Sequence, residues 1–262
     1  MFKATCQFYG ELNFFLPSPK KEISFDYEFK KHPAIKDAIE SLGIPHPEVN
    51  QIVVNGASVD FSYGLKDGDH IEVYPISQTP ENISVVKLRA DLPSHITFVL
   101  DVHLGKLASS LRMLGFDTWY RNDYDDEELA IISATKNRIL LTRDTGLLMR
   151  SLVTHGYYVR STNPEKQLAE VLQRFELVDL IKPFQRCIRC NGDLESVEKE
   201  EILDQIPPKT RQYVDEFHRC RECEQIYWRG SHYEQMQKLI NSVIGATEFS
   251  YKSTSAKESG TS

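Results

Sequence analysis

The chain has 262 residues, 40% of them hydrophobic and 26% charged, with a formal net charge of −7. That balance is ordinary for a globular chain of one large or two to three small domains, and no run reaches the roughly 18 apolar residues of a membrane span. The acidic excess argues against indiscriminate nucleic-acid binding, and the opening MFKATCQFYGELNF mixes polar and apolar residues unlike a signal peptide.

Residues 1–78 read as a separate small domain. ATCQFYG and NFFLP are expected to form a hairpin of two strands around Gly10 and Glu11. Cys6, among alternating apolar neighbours, reads as an inert core thiol. HPAIKDAIESLGI predicts a short amphipathic helix with Ile35, Ala38, Ile39 and Leu42 on one side, stopped by Gly43. QIVVNGASVDF carries an Asn-Gly turn between two strands, a strong hairpin signal. HIEVYPI is a final strand. The order ββαβββ and the closing LKDGDHIEVYPI resemble the ubiquitin-like β-grasp, in particular the one fused ahead of an RNase family. Sulfur-carrier relatives of that fold end in a free Gly-Gly, whereas here the chain continues through Pro75 to Pro80, so conjugation chemistry is not expected. The domain would then be either a module that docks a protein or orients RNA, or an appendage that stabilises the fold, since fold alone does not give function. Residues 79–95 read as a linker able to add an edge strand.

Residues 97–150 alternate strand and helix. Thr97 to Leu100 is a short apolar run ending at Asp101. Leu104, Leu107, Leu111 and Leu114 recur at helical spacing up to Gly115. Thr118 to Tyr120 is a second strand, Asp126, Glu127 and Glu128 open a second helix, and Arg138 to Leu141 is a third strand before Asp144. This alternation predicts a parallel sheet, whose ligands bind outside the carboxyl ends of its strands. Asp101 and Asp144 fall there, and Asp125 and Asp126 can face the same crevice. Gathered carboxylates call for a cation, and Mg²⁺ prefers few carboxylates with water and phosphate oxygens. A structural reading stands beside this one. Asp125 and Glu128 have capping-box spacing, and Asp144 before Thr145 and Gly146 can be a turn residue.

DVHLGKLASSLRMLGFDT (101–118), DDEEL (125–129) and RILLTRD (138–144) resemble the Mut-seven carboxy-terminal RNase domain, a branch of the PIN-like nucleases. The resemblance implies a metal-dependent RNase fold, with Asp101, Asp126 and Asp144 in a Mg²⁺ or Mn²⁺ site. PIN nucleases commonly use a fourth acid. Asp123, Asp125 and Glu128 are candidates for it, while STNPEK offers only Asn163 and Glu165. Lys106, Arg112 and Arg143 are candidates for phosphate contact, and His103 is a possible participant or a solvated first-turn residue.

After Asp144 the α/β pattern continues. Gly146 to Thr154 predicts a helix, GYYVR a fourth strand, and Pro164 the start of a helix carrying Leu168, Val171, Leu172 and Phe175. The RNase-like domain is expected over residues 96–183.

Residues 184–240 hold CIRC and CREC, two C-x-x-C knuckles. Cys187, Cys190, Cys220 and Cys223 fit a tetrahedral Zn²⁺ site of four thiolates. The alternatives are a disulfide pair or a redox motif, but two knuckles without an export signal point to metal and to a reducing cytoplasm. VEKEEILDQIPPKTRQYVDEF is expected to fold as two short helices around Pro207 and Pro208. The block resembles the zinc ribbon that follows the RNase core in the same family. Arg186, Arg189, Arg219, Arg221 and Arg229 surround the knuckles beside Tyr227 and Trp228. Arg189 and Arg221 are expected to hold RNA, unless the arginines pair with Glu222 and Glu224 and the aromatics form the ribbon's core. Residues 241–262 read as a disordered tail. Two functional readings result: a metal-dependent ribonuclease, or a non-catalytic RNA-binding or adaptor protein on a PIN-like scaffold. Three or four converging carboxyl groups favour the first, and two or fewer the second.

Overall fold

The computed structural model describes residues 1–80, 86–89, 91–230, 234, 237, 238 and 241. The expected tail, from residue 242 on, and part of the expected linker lie outside the described residues. From the start of the chain the elements are β1 (Phe2–Phe8), β2 (Phe25–Phe29), α1 (Ile35–Ser41), β3 (Gln51–Val54), β4 (Ala57–Val59) and β5 (His70–Tyr74). There follow β6 (Phe98–Leu100), α2 (Gly105–Met113), β7 (Thr118–Tyr120), α3 (Asp126–Thr135), β8 (Ile139–Thr142), α4 (Thr145–Leu148), β9 (Gly156–Tyr158) and α5 (Pro164–Arg174). The last are β10 (Leu194–Val197), α6 (Pro208–Tyr213), β11 (Phe217–Cys220) and β12 (Ile226–Trp228). Two compact units divide the chain, residues 1–103 with 122–158 and residues 104–121 with 159–262.

In the first unit, strands β2-β1-β5-β3-β4 form one sheet, with β1 antiparallel to β2 and parallel to β5. This is the β-grasp. Ile35, Ala38 and Ile39 of α1 are buried with Phe8, Ile52, Leu65 and Val73. Asn55 and Gly56 both take positive φ, 51° and 84°, as the two-residue hairpin turn requires. The expected first hairpin is corrected. NFFLP is no strand, because Gly10–Phe15 forms a 3-10 turn and the partner of β1 is β2. Asn13 explains this, since its Nδ2 donates to the carbonyls of Phe8 (2.8 Å) and Gly10 (3.2 Å) and its Oδ1 accepts the Glu22 N–H (2.7 Å). That network ties the chain into a coil that drops Leu12 and Leu16 into the core. The described linker residues 86–89 form no strand; Leu88 packs against the β-grasp core.

The same unit holds β6, β8 and β9, paired in parallel with Val99 opposite Leu140 and Leu141 opposite Tyr157. Phe98 to Leu100 and Ile139 to Leu141 are fully buried, the continuous apolar run of a strand covered on both faces. α4 is shorter than expected. After Met149 the chain turns, with the Val153 N–H on the Arg150 carbonyl, and buries Val153 ahead of β9. The β-grasp meets this sheet through two buried groups. His46 Nε2 lies 2.9 Å from the Val153 carbonyl, and Glu48 Oε1 accepts the Tyr158 N–H at 2.7 Å.

In the second unit, Leu107 and Leu111 of α2 and Leu168, Val171 and Leu172 of α5 are buried, and the two helices pack together. Gly115 ends α2 at φ +98°, where an added Cβ would stand 2.1 Å from the Lys182 carbonyl. β10-β11-β12 form an antiparallel sheet around Val197, Phe217 and Ile226. The excursion between the knuckles is a 3-10 segment, Lys199–Gln205, followed by α6, and it adds Ile202 and Ile206 to that small core.

Candidate functional site

Asp101 directly follows β6 and is only 4% exposed. Its Oδ2 accepts the Thr142 hydroxyl and, at 3.0 Å, the Arg143 N–H. Its Oδ1 accepts the His103 N–H at 2.8 Å and lies 3.5 Å from His103 Nδ1. Asp144 is exposed two residues beyond β8. Its Oδ1 accepts the N–H groups of Gly146 (2.7 Å) and Leu147 (3.2 Å), capping α4, while its own N–H donates to Thr142 Oγ1 at 2.9 Å. One hydroxyl thus joins the two acids at the carboxyl ends of adjacent parallel strands. Beside them lies an open cleft of about 380 Å³ lined by His103, Arg143, Asp144 and Thr145.

Asp125 caps α3, its Oδ1 accepting the Glu128 N–H at 2.8 Å, and Asp126 and Glu128 are exposed on the first turn. Among the described residues no three carboxylates bring ligand atoms within 4.8 Å of one another. The structure therefore shows fewer converging acids than a preformed cage of three or four. Mg²⁺ is commonly held by one or two carboxylates, with water and substrate oxygens completing its shell.

Arg143 lies at the cleft with its guanidinium 5.9 Å from the centre of the Tyr158 ring. Lys106 is exposed on the first turn of α2. Arg112 is placed differently from the expectation of a phosphate contact. It is buried, and its Nε donates to the Thr118 carbonyl (2.8 Å), Nη2 to that of Tyr120 (3.4 Å), and Nη1 to those of Ile188 (3.1 Å) and Arg189 (3.2 Å). These donors face main-chain carbonyls, so the side chain joins α2 and β7 to the first knuckle instead of presenting itself to a ligand. Asn191 does related work. At φ 68° it turns back, accepts the Thr118 N–H on Oδ1 (2.9 Å) and donates to Asp117 Oδ1 (2.8 Å).

The thiols of Cys187, Cys190, Cys220 and Cys223 all lie within 4.8 Å of one another. Cys187 and Cys223 are 3.5 Å apart and Cys190 and Cys220 are 3.4 Å apart. A disulfide spans about 2.05 Å, whereas sulfurs at about 2.3 Å from one tetrahedral Zn²⁺ stand roughly 3.8 Å apart. The cluster could hold a zinc ion. Burial pushes the Cys187 thiol up, but the Tyr227 hydroxyl at 3.1 Å and the Cys190 N–H overcome it and hold Cys187 at about 7.

Around the knuckles most arginines are in ion pairs. Arg221 Nε is 3.0 Å and Arg219 Nη2 3.4 Å from Glu195, Arg186 is 3.0 Å from Asp193, and Arg229 is 3.7 Å from Glu216. The acids are not Glu222 and Glu224, the partners weighed as the alternative to RNA, because β10 brings Glu195 opposite Arg219. Arg189 is exposed in the first knuckle. Tyr227 faces Cys187, and Trp228 packs on the Phe217 core. Sequence reasoning missed Thr142 and Asn191. Thr142 stands two residues before Asp144, and Asn directly after a knuckle cysteine is a signal for a left-handed turn.

A β-grasp, a parallel α/β core with paired acids at its strand ends and a four-thiol ribbon define a protein of the nuclease-like kind. Residues 96–240 match the Mut7-C RNAse domain and residues 1–81 the Mut7-C ubiquitin domain, and the chain belongs to the Mut7-C RNAse domain family. No curated protein and no solved structure matches the chain.

Proposed function

We propose that this protein is a metal-dependent ribonuclease that hydrolyses RNA phosphodiester bonds. The observation that carries the reading is the link from the buried Asp101 through Thr142 to Asp144, which lines the open cleft of an RNase-family core. Asp101 and Asp144 would hold Mg²⁺ or Mn²⁺, with Asp126 as the third candidate; a bound cation of this kind supplies an activated water and offsets the charge of the phosphate. The three N–H and O–H donors on Asp101 fix its orientation, which a cation ligand needs. Asp144 keeps Oδ1 on the α4 amides and turns the carboxylate toward the cleft. Arg143 would meet phosphate at the cleft, and Lys106 is a second candidate for phosphate contact. Asp125, with its side chain on the helix it caps, and Glu128 complete the acids of the proposed site.

The four thiols hold structural Zn²⁺, and Arg189 and Arg221 of the ribbon meet RNA. The β-grasp is a surface for a protein partner. Free thiols in this number suit a reducing compartment such as the cytoplasm, and no helix among the described residues is long and apolar enough to cross a membrane.

A second reading, a non-catalytic RNA-binding or adaptor protein, is favoured by one observation, the failure of three carboxylates to meet. Incubating the purified protein with mixed cellular RNA, with Mn²⁺ or with divalent metal withheld, and sequencing the ends separates the two. Cut ends that need Mn²⁺ support the ribonuclease, and intact RNA retained on the protein supports the adaptor.

A further inference from the structure

Phe14 belongs to the 3-10 turn of the β-grasp, yet it is 48% exposed. Its ring centre lies 5.5 Å from that of Tyr158, at the end of β9, with the planes tilted by 44°. Phe15 stands edge-on to both, 5.4 Å from Phe14 at 90° and 5.4 Å from Tyr158 at 80°. Tyr158 also carries Arg143, which lines the cleft with Asp144. A continuous path of rings and one guanidinium thus runs from the β-grasp to the proposed cutting site, all within the first compact unit.

We propose that Phe14 is a stacking platform for an unpaired RNA base, and that the β-grasp thereby selects single-stranded substrate for the cleft. The inference rests on the ribonuclease reading. Three physical points carry it. A side chain needed only to seal the β-grasp against β9 gains nothing from leaving half its ring in water, and Phe15, which is half-buried, already fills that role. The edge-on contact with Phe15 and the tilted contact with Tyr158 hold the Phe14 ring, so little side-chain freedom is lost when a base lies on it. Arg143 stands one ring away, where a guanidinium can take the neighbouring phosphate while the base is stacked. A duplex offers no unstacked base and gains nothing from this surface, so the preference for single strands follows from the geometry.

The test uses the full chain and a short single-stranded RNA carrying 2-aminopurine, with divalent metal withheld. Stacking on an aromatic ring quenches the fluorescent base. Phe14→Leu keeps an apolar group against Tyr158 and removes the ring. It should weaken binding by about tenfold, within the range measured for loss of one stacked base, and abolish the quenching. Phe14→Trp should retain both, and duplex RNA should bind all three proteins alike. The thermal midpoint of each variant guards against a folding defect, and the quenching by wild-type protein tests the platform without any variant. Wild-type binding without quenching, or unchanged affinity in Phe14→Leu, would overturn the platform and leave the ribonuclease reading standing. Failure of the wild-type protein to bind RNA at all would overturn both.

Discussion

Asp101 and Asp144 share a hydrogen-bonded hydroxyl. Thr142 Oγ1 donates to Asp101 and accepts the Asp144 N–H at 2.9 Å, so the two acids are set by one side chain midway between them. Asp101 is thereby held inside the fold while Asp144 faces solvent.

Asp144→Asn is expected to reduce Mn²⁺-dependent RNA cleavage to background while leaving the unfolding midpoint within about 0.5 kcal/mol of wild type, because Asn is as good a helix cap as Asp. The Asn oxygen keeps the Gly146 and Leu147 N–H groups paired, and only the charge is lost. Cleavage at the wild-type rate would place the metal site elsewhere.

One zinc per chain is expected in protein purified under reducing conditions, measured by elemental analysis. Structural zinc in small domains contributes on the order of 10 kcal/mol of binding free energy at neutral pH. Cys190→Ser should therefore release the ion and melt β10 to β12. Less than half an equivalent in the wild-type protein, with disulfides found by mass spectrometry, would refute the four-thiolate site.

Arg112→Met should destabilise the protein by roughly 1–3 kcal/mol in urea unfolding, the cost of leaving the buried Thr118 carbonyl without its donor, while the part-buried bonds to Tyr120, Ile188 and Arg189 add less. Arg112→Lys should rescue little, because an ammonium cannot span partners on both β7 and the knuckle with a planar fork. A near-neutral Arg112→Met would show the carbonyls to be hydrated.

Ribbon arginines should differ in their effect on RNA binding. Arg189→Ala is expected to flatten the plot of log affinity against log salt by about 0.7–0.9, one phosphate contact. Arg221→Ala should add a similar change only in a Glu195→Gln background if Glu195 normally holds its guanidinium. Equal slopes in wild type and the Arg189, Arg221 double alanine variant would move the RNA path off the ribbon.

Stability should fall as pH drops below about 6.5, the ordinary histidine value. Burial lowers the pKa of His155, with Arg89 adding to it, and burial likewise lowers that of His46 against the opposing hydrogen bond to the Glu40 carboxylate. The unfolded chain takes up these protons first, so the contribution is fully present above the unfolded value and is lost as pH falls toward the folded ones, at up to about 1.4 kcal/mol per pH unit for each group. His155→Gln should make the decline between about pH 7 and pH 5.5 shallower by its own share. A decline unchanged in slope would assign the acid sensitivity to other groups.

Local signals in the sequence were strong where the chemistry is local. The Asn55-Gly56 turn, the apolar runs of β6 and β8, Pro164 at the start of α5 and the two knuckles all follow from neighbours in the chain. Through-space relations were less legible. NFFLP has the composition of a strand, and only the reach of Asn13 to Phe8 and Glu22 makes it a coil. Arg112 shares the polar positions of an amphipathic helix, and nothing within α2 announces carbonyls from residues 188 and 189. The pairing of Arg219 and Arg221 with Glu195 depends on the register of β10 against β11, which the sequence does not state. The acids were identifiable one by one, whereas how many of them meet is a property of the assembled fold.

The knuckle contacts of Arg112 and Asn191 also bear on inheritance. The boundary expected near residue 183, between the RNase-like region and the four-thiol ribbon, would suggest a breakpoint for swapping cassettes between genes. A recombinant cut at that point would strip Arg112 of two carbonyls and leave the Thr118 N–H without its Asn191 oxygen. Exchange with an unrelated ribbon would then be selected against even if the new ribbon folded by itself. The core and its ribbon are expected to be transmitted together and to diverge in step, with changes at Arg112 and Thr118 tracking changes at residues 188–191. The single family match across residues 96–240 has the extent such joint descent would produce.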